Sequence, residues 1–218
     1  MKVTAIIQRV RNLLQDNTAV PRWSNNDLLD AYNEALLAVV QNRPDVNSQL
    51  LAFTCQAQAV QSLPPGTYRL LDIVDNPSTG RTVIATTRSS LDSLLPNWTT
   101  ATGESVEQYV YDQKSPSVFY VYPVPPADHQ LNLLVSHAPA RIAITNFDTD
   151  IQLFSLDELW LNPVINYMLF RAFSMDMETE ANMQQAQSYL AMFANNLGLK
   201  WNVDQMFRQM LQGSIGEN

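Results

Sequence analysis

Between Gln61 and Trp98 this chain cannot run as a helix. The stretch QSLPPGTYRLLDIVDNPSTGRTVIATTRSSLDSLLPNW opens on Pro64-Pro65-Gly66, alternates over 68–74, breaks at Asn76-Pro77-Ser78-Thr79-Gly80 and returns over 81–87. Proline removes amide donors and glycine admits the left-handed backbone of tight turns, so the stretch reads as a hairpin. Whatever fold the chain takes must therefore hold a β region in its middle.

The flanks read differently. Val3, Ile6, Ile7, Val10, Leu13 and Leu14 recur at three and four and make one apolar stripe, with Arg9 and Arg11 off it. Ser24 with Asp27 is a helix start, and the helix it opens runs to about 42 before Pro44 bars it. Leu28, Tyr32, Ala35, Leu36 and Val39 form its face, widened by Leu29, Leu37 and Val40. Near the other end, Ser155 and Glu158 match a capping box, and Asn162-Pro163 is a second start signal for a helix over 163–173. A further helix over 179–197 carries Ala186, Leu190, Phe193 and Leu197 and ends at Gly198. Asn202 and Gln205 box a last short helix bearing Met206, Phe207, Met210 and Leu211. Both helical ends have faces too wide to bury alone, so they are expected to bury each other.

The middle holds five to seven short strands. Besides the hairpin there is an alternating run from Gln49 through Ala59, then 106–111, 117–122 and 131–137, joined by short turns that favour antiparallel pairing. The expectation is an α+β fold: a helical bundle of the N- and C-terminal helices, 1–48 and 147–218, with an inserted antiparallel β domain, 49–146, built as a small sandwich or open barrel.

Composition narrows the function. Only 16% of the 218 residues are charged, low for a surface that meets solvent everywhere. Subunit association explains this; so does an exterior rich in Gln, Asn, Ser and Thr. The net charge is −8 and no basic run exceeds two residues, which argues against a conventional DNA-binding surface. Cys55 is the only cysteine, and His129 and His137 are the only histidines, so no thiolate or closely spaced histidine metal site is expected and no cofactor is implied. No run is long enough to span a membrane and no signal peptide opens the chain. The acids Asp157 and Glu158 suit a helix start, as do Asp176, Glu178 and Glu180, which lack the glycine-bearing loop of a calcium site. Tyr109, Tyr111, Phe119, Tyr120 and Tyr122 crowd two adjacent strands, with Phe119 on the face opposite Tyr120 and Tyr122. Those tyrosines suit either local core or contact with another chain.

Taken together, several segments resemble the head-to-tail adaptor (connector) proteins of tailed bacteriophages. They are IIQRVRNLLQD from Ile6, Arg22-Trp23 before DLLDAYNEA, QSLPPGTYRLLDIVDN from Gln61, LDSLLPNW from Leu91, YVYDQKSPSVFYVYPVPP from Tyr109 and YMLFRAFSMD from Tyr167. The layout is also similar to the tail tubular adaptor of short-tailed phages. The resemblance implies a non-enzymatic virion protein in the neck, assembled in the bacterial host cytoplasm. It implies a homo-oligomeric ring, usually of twelve copies, seated between the portal protein and the tail tube or nozzle, with DNA passing through the channel without sequence-specific binding. It implies no catalytic residues and no membrane.

Three residue sets follow as expectations. A C-terminal segment that reaches the portal would comprise Trp201, Met206, Phe207, Met210 and Leu211. Residues 148–218 hold nine acids and three bases, against five and five in 1–48, which offers Asp176, Glu178 and Glu180 as acids lining the channel. Tyr109, Tyr111, Tyr120 and Tyr122 are offered as subunit or partner contacts. The alternatives are another neck or head-completion protein, separable by position in the particle, and a small ligand-binding module or enzyme, which predicts a closed polar pocket.

Overall fold

A computed structural model of the chain describes residues 1–176 and 179–199. The described residues form two compact units, one of Met1–Arg43 with the chain from Pro139 onward, the other Pro44–Ala138.

The first unit is helical. Helix α1 (Val3–Leu13) buries Val3, Ile6, Ile7 and Val10, the stripe read from their spacing. Helix α2 (Asn25–Asn42) starts as its sequence predicts: the Ser24 hydroxyl accepts the Asp27 N–H at 3.1 Å, and Asp27 Oδ2 accepts the Ser24 N–H at 2.8 Å. The helix at the far end, α4 below, begins earlier than Pro163. Asp157, not Ser155, caps a single 3-10 turn (Glu158–Trp160) by accepting the Leu159 N–H at 2.8 Å. That turn feeds α4 (Leu161–Ser174) directly, with Ser155 lying instead against the Tyr32 phenol. Helix α5 (Glu180–Asn196) is capped by Thr179 and buries Ala186, Leu190, Phe193 and Ala194. The α4 residues Val164, Met168 and Leu169 and the α2 residues Tyr32, Ala35 and Val39 are at most 1% exposed. Full burial of such side chains contributes about 1.5–3 kcal/mol each for the large ones. Arg171 on α4 pairs with Glu34 on α2, its Nε 2.6 Å from Oε2, and fixes their mutual register.

The second unit is a β-sandwich with open edges. One sheet runs β1 (Ser48–Thr54), β8 (Gln130–His137), β3 (Thr67–Asn76) and β4 (Arg81–Thr82). The other runs β2 (Val60–Ser62), β7 (Val118–Tyr122), β6 (Gln108–Tyr111) and β5 (Ile84–Ala85). Their facing sides interleave Leu70, Ile73, Leu131, Leu133 and Val135 with Tyr109, Phe119 and Val121. The pairing is antiparallel with one departure: β5 runs parallel to β6. A parallel neighbour needs a crossover, and helix α3 (Arg88–Leu94) lies in it. The alternation read from Gln49 to Ala59 stops at Thr54. The chain then bends around the buried Gln61, whose side chain accepts the Gln56 N–H and donates to the Gln56 and Gln58 carbonyls.

Candidate functional site

In the helical unit, the residues that carry the family resemblance meet in one polar cluster. Gln15 takes a positive φ of 56° just after α1 and turns Asp16 back toward the helix. Arg11 and Asp16 are both 7% exposed and pair at 3.0 Å. Arg11 also donates to the Trp23 carbonyl at 2.9 Å and to Asn25 Oδ1 at 2.8 Å, while Asp16 accepts the N–H groups of Arg22 and Trp23. Every charge here is neutralised and hydrogen-bonded, the condition under which ionic groups tolerate burial. Arg22 extends the cluster: its guanidinium pairs with Asp176 and lies 5.3 Å from the centroid of the Trp23 ring. Asn182 on α5 donates to Asp176 Oδ2 at 2.6 Å and to its carbonyl at 2.8 Å. Thus the α1–α2 connection is tied to the approach to α5. Arg11 departs from the sequence expectation, which set it off the buried stripe. Its burial depends on acceptors five to fourteen residues away, so the helical period gave no signal of it.

Of the acids offered for a channel, Asp176 is 8% exposed and committed to Arg22 and Asn182, whereas Glu180 is exposed on the first turn of α5. Glu178 lies outside the described residues, as do Trp201, Met206, Phe207, Met210 and Leu211.

The four tyrosines divide between the two faces of one sheet. Register sets Tyr109 opposite Val121 and Tyr111 opposite Phe119, so both face the sandwich interior. Tyr109 is 6% exposed and donates to Asp72 Oδ1 at 2.9 Å; burial, and then the Asp72 carboxylate, push its phenol pKa up. Tyr111 is half-buried, donates to the Pro116 carbonyl at 3.1 Å, and is also shifted up by burial. Tyr120 and Tyr122 lie on the opposite face, which the crossover covers: Leu91 of α3 and Trp98 pack there with Val110. Trp98 meets Tyr120 edge-on at 5.9 Å and donates its indole N–H to Asp92 Oδ1 at 2.8 Å. A shallow hollow of about 220 Å³ remains between Tyr122, Trp98, Ala101 and the exposed Leu94 and Leu95.

A second buried polar centre holds the sandwich together. Asn76, fully buried, donates from Nδ2 to the carbonyls of Val106 at 2.8 Å and Arg81 at 3.0 Å. Its Oδ1 accepts the Val106 N–H at 2.9 Å and meets His129 Nε2 at 2.7 Å. With Nδ2 committed to two carbonyls, Oδ1 is the acceptor, so His129 carries its proton on Nε2 and is neutral; burial lowers its pKa. In the sequence Asn76 read only as a turn residue, because its partners lie thirty and fifty-three positions on. The Cys55 thiol is buried and its pKa is pushed up to about 12 by burial alone, which makes it inert packing.

Among the described residues, no three His, Cys, Asp or Glu side chains gather to hold a metal ion, and no helix is long and apolar enough to cross a membrane. The clusters found brace the fold. The apolar groups they leave outside include Val20 at 87%, Leu159 at 83%, Leu94 at 78% and Ile151 at 75% exposed.

Compared with protein-family models, the chain matches the SU10 adaptor protein family over residues 1–214. Among curated proteins none matches.

Proposed function

The chain belongs to the SU10 adaptor family, and on that footing we propose that its copies, on the order of twelve, close into a ring in the neck of the virion. The family membership makes it a structural protein of a tailed phage, a head-to-tail adaptor whose oligomeric ring bridges portal and tail; its role is structural and not enzymatic. The full-length match is the observation that carries this reading.

The finer assignments are our own. The helical residues 1–48 and 147–218 act as one domain and the β insert 49–146 as another, assembled in the host cytoplasm. A closed ring joins one patch of each copy to a different patch of the next. The exposed Val20, Ile151, Leu153 and Leu159 support the helical unit as one source of such patches. Tyr120 and Tyr122, with the hollow beside Leu94 and Leu95, support the sandwich as another. Tyr111 stays in the proposal as a half-buried contact, and Tyr109 supports it only from inside. Residues Trp201, Met206, Phe207, Met210 and Leu211 are proposed to dock on the portal, on the strength of the resemblance alone. Of Asp176, Glu178 and Glu180, proposed for the channel wall, the exposed Glu180 has the best support; Asp176 has its charge compensated by Arg22. Acid on the wall lets a polyanion slide past.

Electron cryomicroscopy of the intact neck tests all of this. The expected result is a ring of this chain between portal and tail with Glu180 facing the bore. Absence of the chain from the neck overturns the location, and Glu180 on the outer rim overturns the channel assignment.

A further inference from the structure

The sandwich has four edge strands, and three are protected. Strand β4 spans two residues, one of them Arg81, beside a β3 whose register shifts three times. Strand β2 spans three residues and runs into Pro64-Pro65, and β5 spans two. Shortness, charge, proline and irregular register are the devices that keep an edge from recruiting another strand. Strand β1 has none of them. Its seven residues, SQLLAFT, pair with β8 without a register shift from Ser48↔Ser136 to Thr54↔Gln130. They include no proline, no glycine and no charged side chain.

The open side of β1 is equipped for pairing. Just past the strand, Cys55 N–H donates to the His129 carbonyl at 2.8 Å, toward β8. With a period of two, Phe53, Leu51 and Gln49 turn their backbone groups the same way, so Leu50, Ala52 and Thr54 turn theirs outward. Leu51 and Phe53 sit opposite the core residues Leu133 and Leu131 yet are only half-buried, and Leu50 is 56% exposed. One more strand beyond β1 satisfies the outward amides and closes the flank of the core at Leu51 and Phe53.

We propose that β1 is a docking edge for an extended segment of a different protein chain, with an apolar side chain at every second position, which joins the β1-β8-β3-β4 sheet as a fifth strand. A second copy does not suit this edge. The other edges of this sandwich offer two or three residues against seven, and β1 paired with β1 relates two copies by a two-fold axis. A ring with unlike ends facing portal and tail has no such axis. That exclusion rests on the adaptor reading.

The test uses full-length wild-type protein, Ala52→Pro and Leu50→Lys, with the recombinant portal ring and the recombinant tail-tube protein of the same virion as separate probes. Proline at 52 removes an outward N–H and spares the ladder to β8, and Leu50→Lys blunts the edge without touching the backbone. Hydrogen exchange over 48–55 is read free and bound. The expected result is slowing by about a hundredfold on binding one of the two probes. Both variants then bind that probe about tenfold or more weakly. Wild-type binding with 48–55 exchanging as fast as in the free protein overturns the fifth strand alone. Protection already present in a self-associated free protein, and lost in Ala52→Pro, overturns it in favour of a second copy. Wild-type protein that binds neither probe overturns the adaptor reading and the docking edge together.

Discussion

Replacing Asn76 by alanine strikes the interior of the sandwich at its most connected polar residue. The substitution removes four hydrogen bonds, of which the two to Val106 and the one to His129 are wholly buried. It strands the Val106 N–H, the Val106 carbonyl and the His129 Nε2–H where water does not reach. Each stranded group costs about 1–3 kcal/mol. The sum is taken near the lower end because neighbours relax and one bond, to Arg81, is only partly buried; a loss of about 3–5 kcal/mol follows. In a domain of this size each 1 kcal/mol moves the midpoint by roughly 4–8 °C, so the sandwich of Asn76→Ala melts about 12 °C or more below wild type. Scanning calorimetry measures it. Asn132→Ala is the control, since Asn132 makes one partly buried bond, to Asp75 at 2.7 Å, worth about 1 kcal/mol. If Asn76→Ala melts no lower than Asn132→Ala, the argument that Asn76 binds the two sheets together is wrong.

Two further outcomes follow from the same chemistry. His129 is held neutral, its pKa lowered by burial below the ordinary 6.5, so the unfolded chain takes up its proton first. The stability it contributes is fully present above 6.5 and is lost as the pH falls through the lowered folded-state value; melting from pH 8 downward should therefore steepen near 6.5 in wild type relative to His129→Gln. In the helical unit, Asp16→Ala leaves the buried Arg11 guanidinium without its carboxylate, and the urea midpoint should fall by the equivalent of about 3–5 kcal/mol, whereas Asp27→Ala, at an exposed cap, should cost about 1 kcal/mol.

What the sequence discloses is what is local. Ser24 and Asp27 announce the start of α2 because both halves of the capping box lie within one turn. The stripe from Val3 to Val10 announces α1 because the period is the helix's own. Near Ser155 two start signals overlap within three residues, and Asp157 takes the cap that the S-x-x-E pattern assigned to Ser155. Alternation separates Phe119 from Tyr120 and Tyr122. It does not reveal that Tyr109 and Tyr111 share the Phe119 face, since that depends on the register of β6 against β7. Arg11, Asn76 and Gln61 stay hidden for the same reason: each is a polar residue made structural by partners that only the folded chain brings near. For the candidate surfaces the difficulty is greater, because an interface residue obeys no period and Tyr120 serves local packing on Trp98 as readily as contact with another chain.

The interruption of the helical unit also sets a timetable. Helix α2 is complete at Asn42, but the α4 face that covers it begins at Leu161, after the whole sandwich. At synthesis rates of about 5–20 residues per second, α2 waits on the order of ten seconds for its partner. During that interval the sandwich, contiguous from Pro44 to Ala138, has all of its strands in hand. The nascent chain therefore holds a β unit able to finish while Leu28, Tyr32, Leu36 and Val39 are still uncovered, and these four side chains mark where a ribosome-bound chaperone has its purchase.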